Sequence, residues 1–299
     1  MADLINIVDR LAARLGPVDG EPVPLDGGIT NRNFRVRFGT RDCVLRLPGR
    51  DTELLGIDRR AERLATERAA ALGIAPPLIA ADDECMVTEW LPGAPMDGNR
   101  LRADPSSAAH ALRAFHDSGL ELPVRFWIPD LLNDYAAITT KRGGELPGAY
   151  RRAQELVARI AEALPLSDPA PCHDDLLPGN VLAADVDPGR AVLVDWEYAG
   201  MGHRYFDLGN LAVNNDFDEG AQDRMLHAYF DEPPDAGRSA ALHLMMLVSD
   251  AREAAWGVVQ GSISELDFDF AEYAREHFAR LQRNASDPRL EEWLHAASP

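Results

Sequence analysis

Lysine is almost missing from this chain. Lys141 is the only one in 299 residues, and the other basic side chains are arginines. Chemistry that needs a lysine amine anywhere else is therefore excluded. Cysteine is scarce as well: Cys43, Cys85 and Cys172 are odd in number, widely spaced and without a C-x-x-C pair. That pattern argues against a disulfide framework and for a reducing compartment. No apolar run approaches the roughly 18 residues needed to cross a bilayer, so no membrane insertion is expected. The start, Met1-Ala2-Asp3-Leu4, lacks the basic segment and apolar stretch of a secretion signal, and a cytoplasmic location is expected. Positive charge is also short, with 30 basic against 49 acidic side chains and a formal net charge of −19. A polyanion would meet a repulsive surface, which disfavours nucleic acid as a partner. A small cation would be drawn in, although the same charge also serves solubility alone.

What remains is the composition of a folded soluble protein, 46% hydrophobic and 26% charged. The length suits about two domains or one bilobed unit. Leu4, Ile7, Val8, Leu11 and Leu15 recur at helical spacing until Gly16-Pro17. Residues 33–38 and 43–47 alternate apolar with polar around Gly39-Thr40, which predicts a β-hairpin. Asp58–Leu72 reads as a helix closed by Gly73, and Cys85–Leu91 as a further strand broken by Pro92-Gly93. Beyond it helices are predicted over Pro105–Ser118, Gly148–Leu164, Gly220–Phe230, Ser239–Val259 and Phe268–Arg283. One strand-rich interruption, Asn180–Leu182 and Ala191–Asp195, is joined by a turn at Asp187-Pro188-Gly189. The expected architecture is α+β and bilobed. Residues 1–91 form a small sheet lobe, residues 92–299 a larger helical lobe, with a crevice between them.

The most informative stretch is Cys172-His173-Asp174-Asp175-Leu176-Leu177-Pro178-Gly179-Asn180. It matches H-x-D-x-x-x-x-N, the catalytic-loop pattern of kinases, where the Asp faces the acceptor hydroxyl and the Asn holds a metal. Fifteen residues after Asn180, at the end of an apolar strand, stands Asp195. One carboxylate and one amide, completed by nucleotide phosphates and water, suit the hard-oxygen preference of Mg²⁺. An isolated motif of this kind can also be a set of turn-capping Asx residues, or part of a hydrolytic metal site. The β-hairpin ending in an acidic residue favours the kinase reading.

These segments resemble the choline/ethanolamine kinase family, within the aminoglycoside-phosphotransferase-like kinases. The resemblance is carried by Gly27–Asn33, Val44–Gly49, His173–Asn180 and Val194-Asp195-Trp196-Glu197-Tyr198-Ala199-Gly200. Asp207-Leu208-Gly209-Asn210 and Trp256–Gln260 extend it over nearly the whole chain. It implies a protein-kinase-like fold using ATP and Mg²⁺. Asp175 would be the catalytic residue, and Asn180 and Asp195 the metal ligands. Gly28, Asn31 and Asn33 would lie near the phosphates. Arg46 would replace the usual strand lysine, Glu62 would pair with it, and Glu89 to Leu91 would offer backbone groups to adenine.

On the acceptor side the resemblance implies an ammonium held by aromatic faces and carboxylates, as cation–π attraction allows. Asp175, Tyr198, Glu253, Trp256 and Tyr273 are the candidates. Two positions depart from the eukaryotic pattern: Asn214 replaces a Glu and Glu253 replaces a Trp, so the pocket's charge is expected to shift to Glu253, Asp216 or Asp250. Asp207, Asn210 and His173 are expected to brace the loop. The expected activity is Mg²⁺-dependent phosphoryl transfer from ATP to the hydroxyl of a small cationic alcohol, choline or ethanolamine first. An aminoglycoside or thiamine kinase is the alternative, and a nucleotide-binding pseudokinase a further one.

Overall fold

The computed structural model describes residues 2–25, 31–184 and 189–297. The Gly27-Gly28 turn, and with it Gly28, lies outside the described residues, as do Asp187 and Pro188. The chain opens with α1 (Ala2–Leu15) and continues through β1 (Val23–Leu25), β2 (Arg32–Phe38) and β3 (Arg41–Leu47). Helix α2 (Arg59–Ala71) interrupts the sheet before β4 (Leu78–Ala81) and β5 (Met86–Glu89) complete it. All neighbours are antiparallel in the order β1-β2-β3-β5-β4. The expected hairpin is β2–β3, with Phe38 opposite Arg41 across Gly39, whose φ of +59° is the left-handed region glycine tolerates.

Alternation along β3 decides what each face does. Cys43, Leu45 and Leu47 are buried with Ile7, Val8 and Leu11 of α1, Val36, Phe38 and Val87. Arg46, between Leu45 and Leu47, must then project from the opposite face. That face meets α2, whose first turn is capped by the Asp58 carboxylate accepting from the Arg60 and Ala61 amides at 2.8 Å each. On α2 the residues Ala61, Ala65 and Ala69 turn toward a second core containing Phe115, Val181, Leu193 and Trp196. The four-residue spacing places all three alanines on one helix face.

Beyond the sheet, β6 (Gly93–Pro95) is followed by α3 (Gly98–Ala103), α4 (Ser106–His116), α5 (Ile128–Lys141) and α6 (Gly148–Ala163). Then come β7 (Ala170–Cys172), β8 (Val181–Ala184), β9 (Ala191–Leu193) and β10 (Gly200–Gly202). Strand β8 sits between β6 and β9, and β7 pairs with β10. The chain ends with α7 (Arg204–Asn214), α8 (Glu219–Phe230), α9 (Ala236–Ile263), α10 (Phe270–Asn284) and α11 (Leu290–Ala296). The mixed architecture is the expected α+β one, and no helix of the described residues is long and apolar enough to cross a membrane.

Four helices, α3, α5, α7 and α11, have no counterpart in the periodicity reading. For α7 the reason is burial. Phe206 to Val213 are buried consecutively, so the helix has no polar face to produce a 3.6-residue pattern. Helix α9 is enclosed in the same way, with α5, α6, α7, α10 and α11 all packed on it. Helices α7 and α9 approach tightly at Gly209, where an added Cβ would stand 2.6 Å from the Met245 carbonyl carbon and 2.8 Å from the Met246 amide nitrogen.

Gly209→Ala should therefore destabilise the protein by about 1–3 kcal/mol through overpacking. Ala's helix propensity returns at most about 1 kcal/mol. The urea midpoint should fall, and an unchanged or raised midpoint would show that the two helices separate without cost.

Candidate active site

Strand β7 ends at Cys172, and the next residues follow no regular element until a single 3₁₀ turn at Pro178–Asn180. Their backbone amides need partners from elsewhere. Two side chains of α7, one turn apart, supply them. Asp207 accepts from the His173 and Asp174 amides, both at 2.8 Å, and Asn210 Oδ1 accepts from the Leu176 amide. Asp207 is held in turn by His116 Nε2 at 2.9 Å, and His116 Nδ1 lies 2.6 Å from the Tyr229 hydroxyl. Burial alone would raise the Asp207 carboxyl, but the hydrogen bonds and charge of His116 with the loop amides outweigh it and hold it below the ordinary range. Cys172 brings its sulfur within 4.8 Å of the His116 and Asp207 ligand atoms. Those two residues already bond each other, Tyr229 and the loop.

His173 is fully buried, and desolvation lowers its pKa, so the ring is neutral. Nε2–H donates to the Val194 carbonyl at 2.9 Å and Nδ1 accepts from the Asp175 amide at 3.3 Å. Asp174, at φ +66°, and Asp195, at φ +64°, sit in the left-handed region on either side of that ring's contacts. Such conformations cost about 1–3 kcal/mol and persist where surrounding bonds enforce them.

Asp175 emerges from this braced loop with both carboxylate oxygens engaged. Asn180 Nδ2 donates to its carbonyl at 2.7 Å and to Oδ2 at 3.3 Å. Arg252 Nη1 donates to Oδ1 at 3.1 Å and also to Glu253 Oε1 at 2.8 Å. Burial pushes Asp175 up against the opposing pull of Arg252, and Glu253, Asp195 and Glu197 push it further. Glu253 goes the other way. Burial would raise it, but Arg252, His277 and the Tyr273 hydroxyl prevail and keep it ionised. The Tyr273 hydroxyl donates to Glu253 Oε2 at 2.7 Å, and Trp256 Nε1 donates to the Tyr198 hydroxyl at 2.8 Å. Trp256 and Tyr273 meet edge to face, centroids 5.4 Å apart. The Arg252 guanidinium covers the Tyr198 ring, 4.3 Å from its centroid.

A second ionic cluster joins the sheet to the helical part. Arg46 contacts both Glu62 and Asp195. Glu62, 2% exposed, also takes Arg59 Nη1 at 2.8 Å. Arg59 continues to Glu197 at 3.5 Å and to the Thr52 hydroxyl at 3.0 Å, and Asn31 Nδ2 donates to Glu197 at 2.8 Å. Asn33 lies directly opposite Arg46 in the hairpin. At the far end of β5 the Glu89 amide is bonded to the Pro77 carbonyl, and Leu91 precedes β6.

The candidates thus fall into two connected groups, one around Arg46, Glu62 and Asp195 and one around Asp175, Glu253, Tyr198, Trp256 and Tyr273. Asp250 is occupied by Arg280, which also bonds Asn214 Oδ1 at 2.8 Å. Arg252 and Arg59 were not among the sequence candidates. For Arg252 a signal exists, since Asp250, Arg252 and Glu253 form a charged cluster between two apolar runs of α9. The donor set suits a hard cation: Asn180 spends its Nδ2 on Asp175, leaving Oδ1, and Asp195 offers a carboxylate.

With the fold and this geometry in place, the comparisons agree. The profile of the phosphotransferase enzyme family matches residues 21–243, and the chain belongs to that family. It is 28% identical over 279 residues to ethanolamine kinase 2 of Mus musculus, covering 83% of this chain and 71% of that protein. It is 23% identical over 323 residues to probable choline kinase 1 of Arabidopsis thaliana, covering 92% of this chain and 91% of that one. A solved choline/ethanolamine kinase family protein from Mesorhizobium loti superposes with a TM-score of 0.83 at 28% identity, over 99% of each chain. The protein is a small-molecule kinase by family, similar to choline/ethanolamine kinases.

Asp207→Ala should cost about 3–5 kcal/mol at neutral pH, because it leaves buried donors unpaired. The sign of the pH dependence follows from the depressed Asp207 carboxyl. Its contribution is complete above the unfolded-state value near 4 and is lost as pH falls through the lower folded value. Denaturant titrations should show the gap between wild type and variant narrowing below about pH 4. A gap constant down to pH 2 would contradict this account.

Proposed function

We propose that the protein transfers the γ-phosphoryl group of ATP, with Mg²⁺, to the hydroxyl of a small cationic alcohol, choline or ethanolamine being the first candidates. The observation that carries this reading is the convergence of Asp175, Asn180 and Asp195. Asn180 contacts Asp175 through Nδ2, its backbone carbonyl accepts from the Val194 amide at 3.0 Å, and Asp195 is the next residue, just past the end of β9. Residues 1–91 would serve as the nucleotide lobe and 92–299 as the catalytic and acceptor lobe.

Phosphoryl transfer passes through a loose transition state, so positioning and electrostatics supply most of the acceleration. Asp175 would accept a hydrogen bond from the acceptor hydroxyl, orient it toward the γ-phosphorus and take its proton late. Arg46, aimed by Glu62, would contact the α- and β-phosphates, with Asn31 and Asn33 nearby. Asn180 Oδ1 and the Asp195 carboxylate would hold Mg²⁺, which neutralises charge on the phosphates when bound. Backbone groups of Glu89 to Leu91 would meet the adenine.

Charge supports a cationic acceptor. Two buried carboxylates, Asp175 and Glu253, share one guanidinium, Arg252. If both ionise, one negative charge lacks a counterion, and an ammonium near Trp256 and Tyr273 would supply it, favouring the ionised Asp175 that burial opposes. Tyr198 would act as the wall of this pocket through its hydroxyl bond to Trp256.

Asp175→Asn should lower ADP release by about 10²–10⁴-fold. ATP affinity, measured by calorimetry with Mg²⁺, should stay within about twofold. Turnover equal to wild type would remove Asp175 from the chemistry.

A further inference from the structure

We propose that Arg252 is a positioning residue for the transfer, acting through Asp175; the proposal rests on the reading of Asp175 as the residue that orients the acceptor hydroxyl. Arg252 is 1% exposed in the middle of α9, and a single nitrogen, Nη1, serves both carboxylates. Its Nε and Nη2 are buried without a partner. As a stabilising device this is poor. Burying a guanidinium costs several kcal/mol of hydration, and each unsatisfied N–H adds about 1–3 kcal/mol. An apolar side chain of similar length would serve the α9 core at least as well.

What the guanidinium does instead is fix one oxygen of Asp175. It is anchored on two sides, by the Tyr198 ring at 4.3 Å and by Glu253 at 2.8 Å. Glu253 is itself tied to the Tyr273 hydroxyl at 2.7 Å and lies 3.5 Å from Asn210 Nδ2. Asn210 is the side chain that also caps the loop at Leu176. Arg252 therefore reaches Asp175 from a rigid base and occupies Oδ1, so that Oδ2, which takes only the 3.3 Å contact from Asn180 Nδ2, is the oxygen to receive the hydroxyl. A lysine ammonium could donate to the carboxylates but has no planar face to lie flat on the Tyr198 ring, so it would be held less firmly. Because the guanidinium already covers Tyr198, a substrate ammonium is directed to Trp256 and Tyr273.

The test compares wild type, Asp175→Asn, Arg252→Met, Arg252→Lys, Arg252→Met in the Asp175→Asn background, and the double variant Arg252→Met/Glu253→Gln. The double variant removes the carboxylate that Arg252→Met would leave uncompensated, so it keeps the question open if the single variant fails to fold. Steady-state ADP release is measured with Mg²⁺-ATP and whichever amino alcohol the wild type uses. Misplacing a reacting group by about 1 Å costs on the order of 100-fold. The proposal expects kcat to fall by about that factor in Arg252→Met and in the double variant. The KM for ATP should stay within about twofold, and Arg252→Lys should recover part of kcat. Introduced into Asp175→Asn, Arg252→Met should cost less than about threefold more, since the two act as a unit. Full kcat in the folded double variant beside an inactive Asp175→Asn would overturn the role of Arg252 alone. A uniform loss of kcat, ATP affinity and thermal stability that Arg252→Lys does not relieve would overturn it in favour of a packing role. Wild-type turnover in Asp175→Asn would remove the underlying reading of the site as well.

Discussion

The close apposition of α7 and α9 at Gly209 is the constraint on which the rest of the site depends. A side chain at that position would collide with the α9 backbone. With the two helices at that distance, Asp207 and Asn210 flank the contact and reach the amides of the loop after β7. The same approach puts Asn210 Nδ2 at 2.9 Å from the Ser249 hydroxyl of α9 and near Glu253. One packing contact between two helices thereby sets an irregular loop and the ionic groups beneath it. Irregular backbone inside a protein needs such external partners, because it cannot satisfy its own polar groups.

Charge is the second organising element. The protein is strongly acidic, yet its buried and half-buried cations, Arg46, Arg59 and Arg252, sit where carboxylates crowd. Each bridges two acidic groups, which suits the planar, several-donor guanidinium better than the point charge of lysine. Arg46 spans from the sheet to Asp195, and Arg59 from α2 to Glu197. The joint between the sheet and the helical part is therefore ionic at its centre, with the alanine face of α2 packed beside it.

Much of this was legible in the sequence, for physical reasons that can be named. The hairpin of β2 and β3 announces itself because one face is buried and the other is not, so hydrophobicity alternates. Asp175, Asn180 and Asp195 are legible because their chemistry demands particular residue types at particular separations. Helix α7 escapes periodicity because it is enclosed on every side, and only its Asp207-x-x-Asn210 spacing hints at a role. Glu253 reads from sequence as a carboxylate facing a substrate cation. In the structure both its oxygens are engaged, by Arg252 and Tyr273. That arrangement depends on a residue 77 positions from Asp175 and could not be inferred without the fold. Only the family resemblance points to Glu62 as the partner of Arg46. Its burial follows from the face that α2 presents to the sheet, which the sequence of α2 alone does not reveal.

The central claim is that this site moves a phosphoryl group from ATP to an alcohol oxygen on a small cation. The most direct measurement is ³¹P NMR of reactions containing the protein, Mg²⁺-ATP and, separately, choline, ethanolamine, thiamine, an aminoglycoside or the uncharged alcohol glycerol. The account predicts a phosphomonoester resonance growing with choline or ethanolamine while the γ-phosphate signal declines in equal amount. Inorganic phosphate as the sole product, or an ester formed only on an uncharged alcohol, would contradict it.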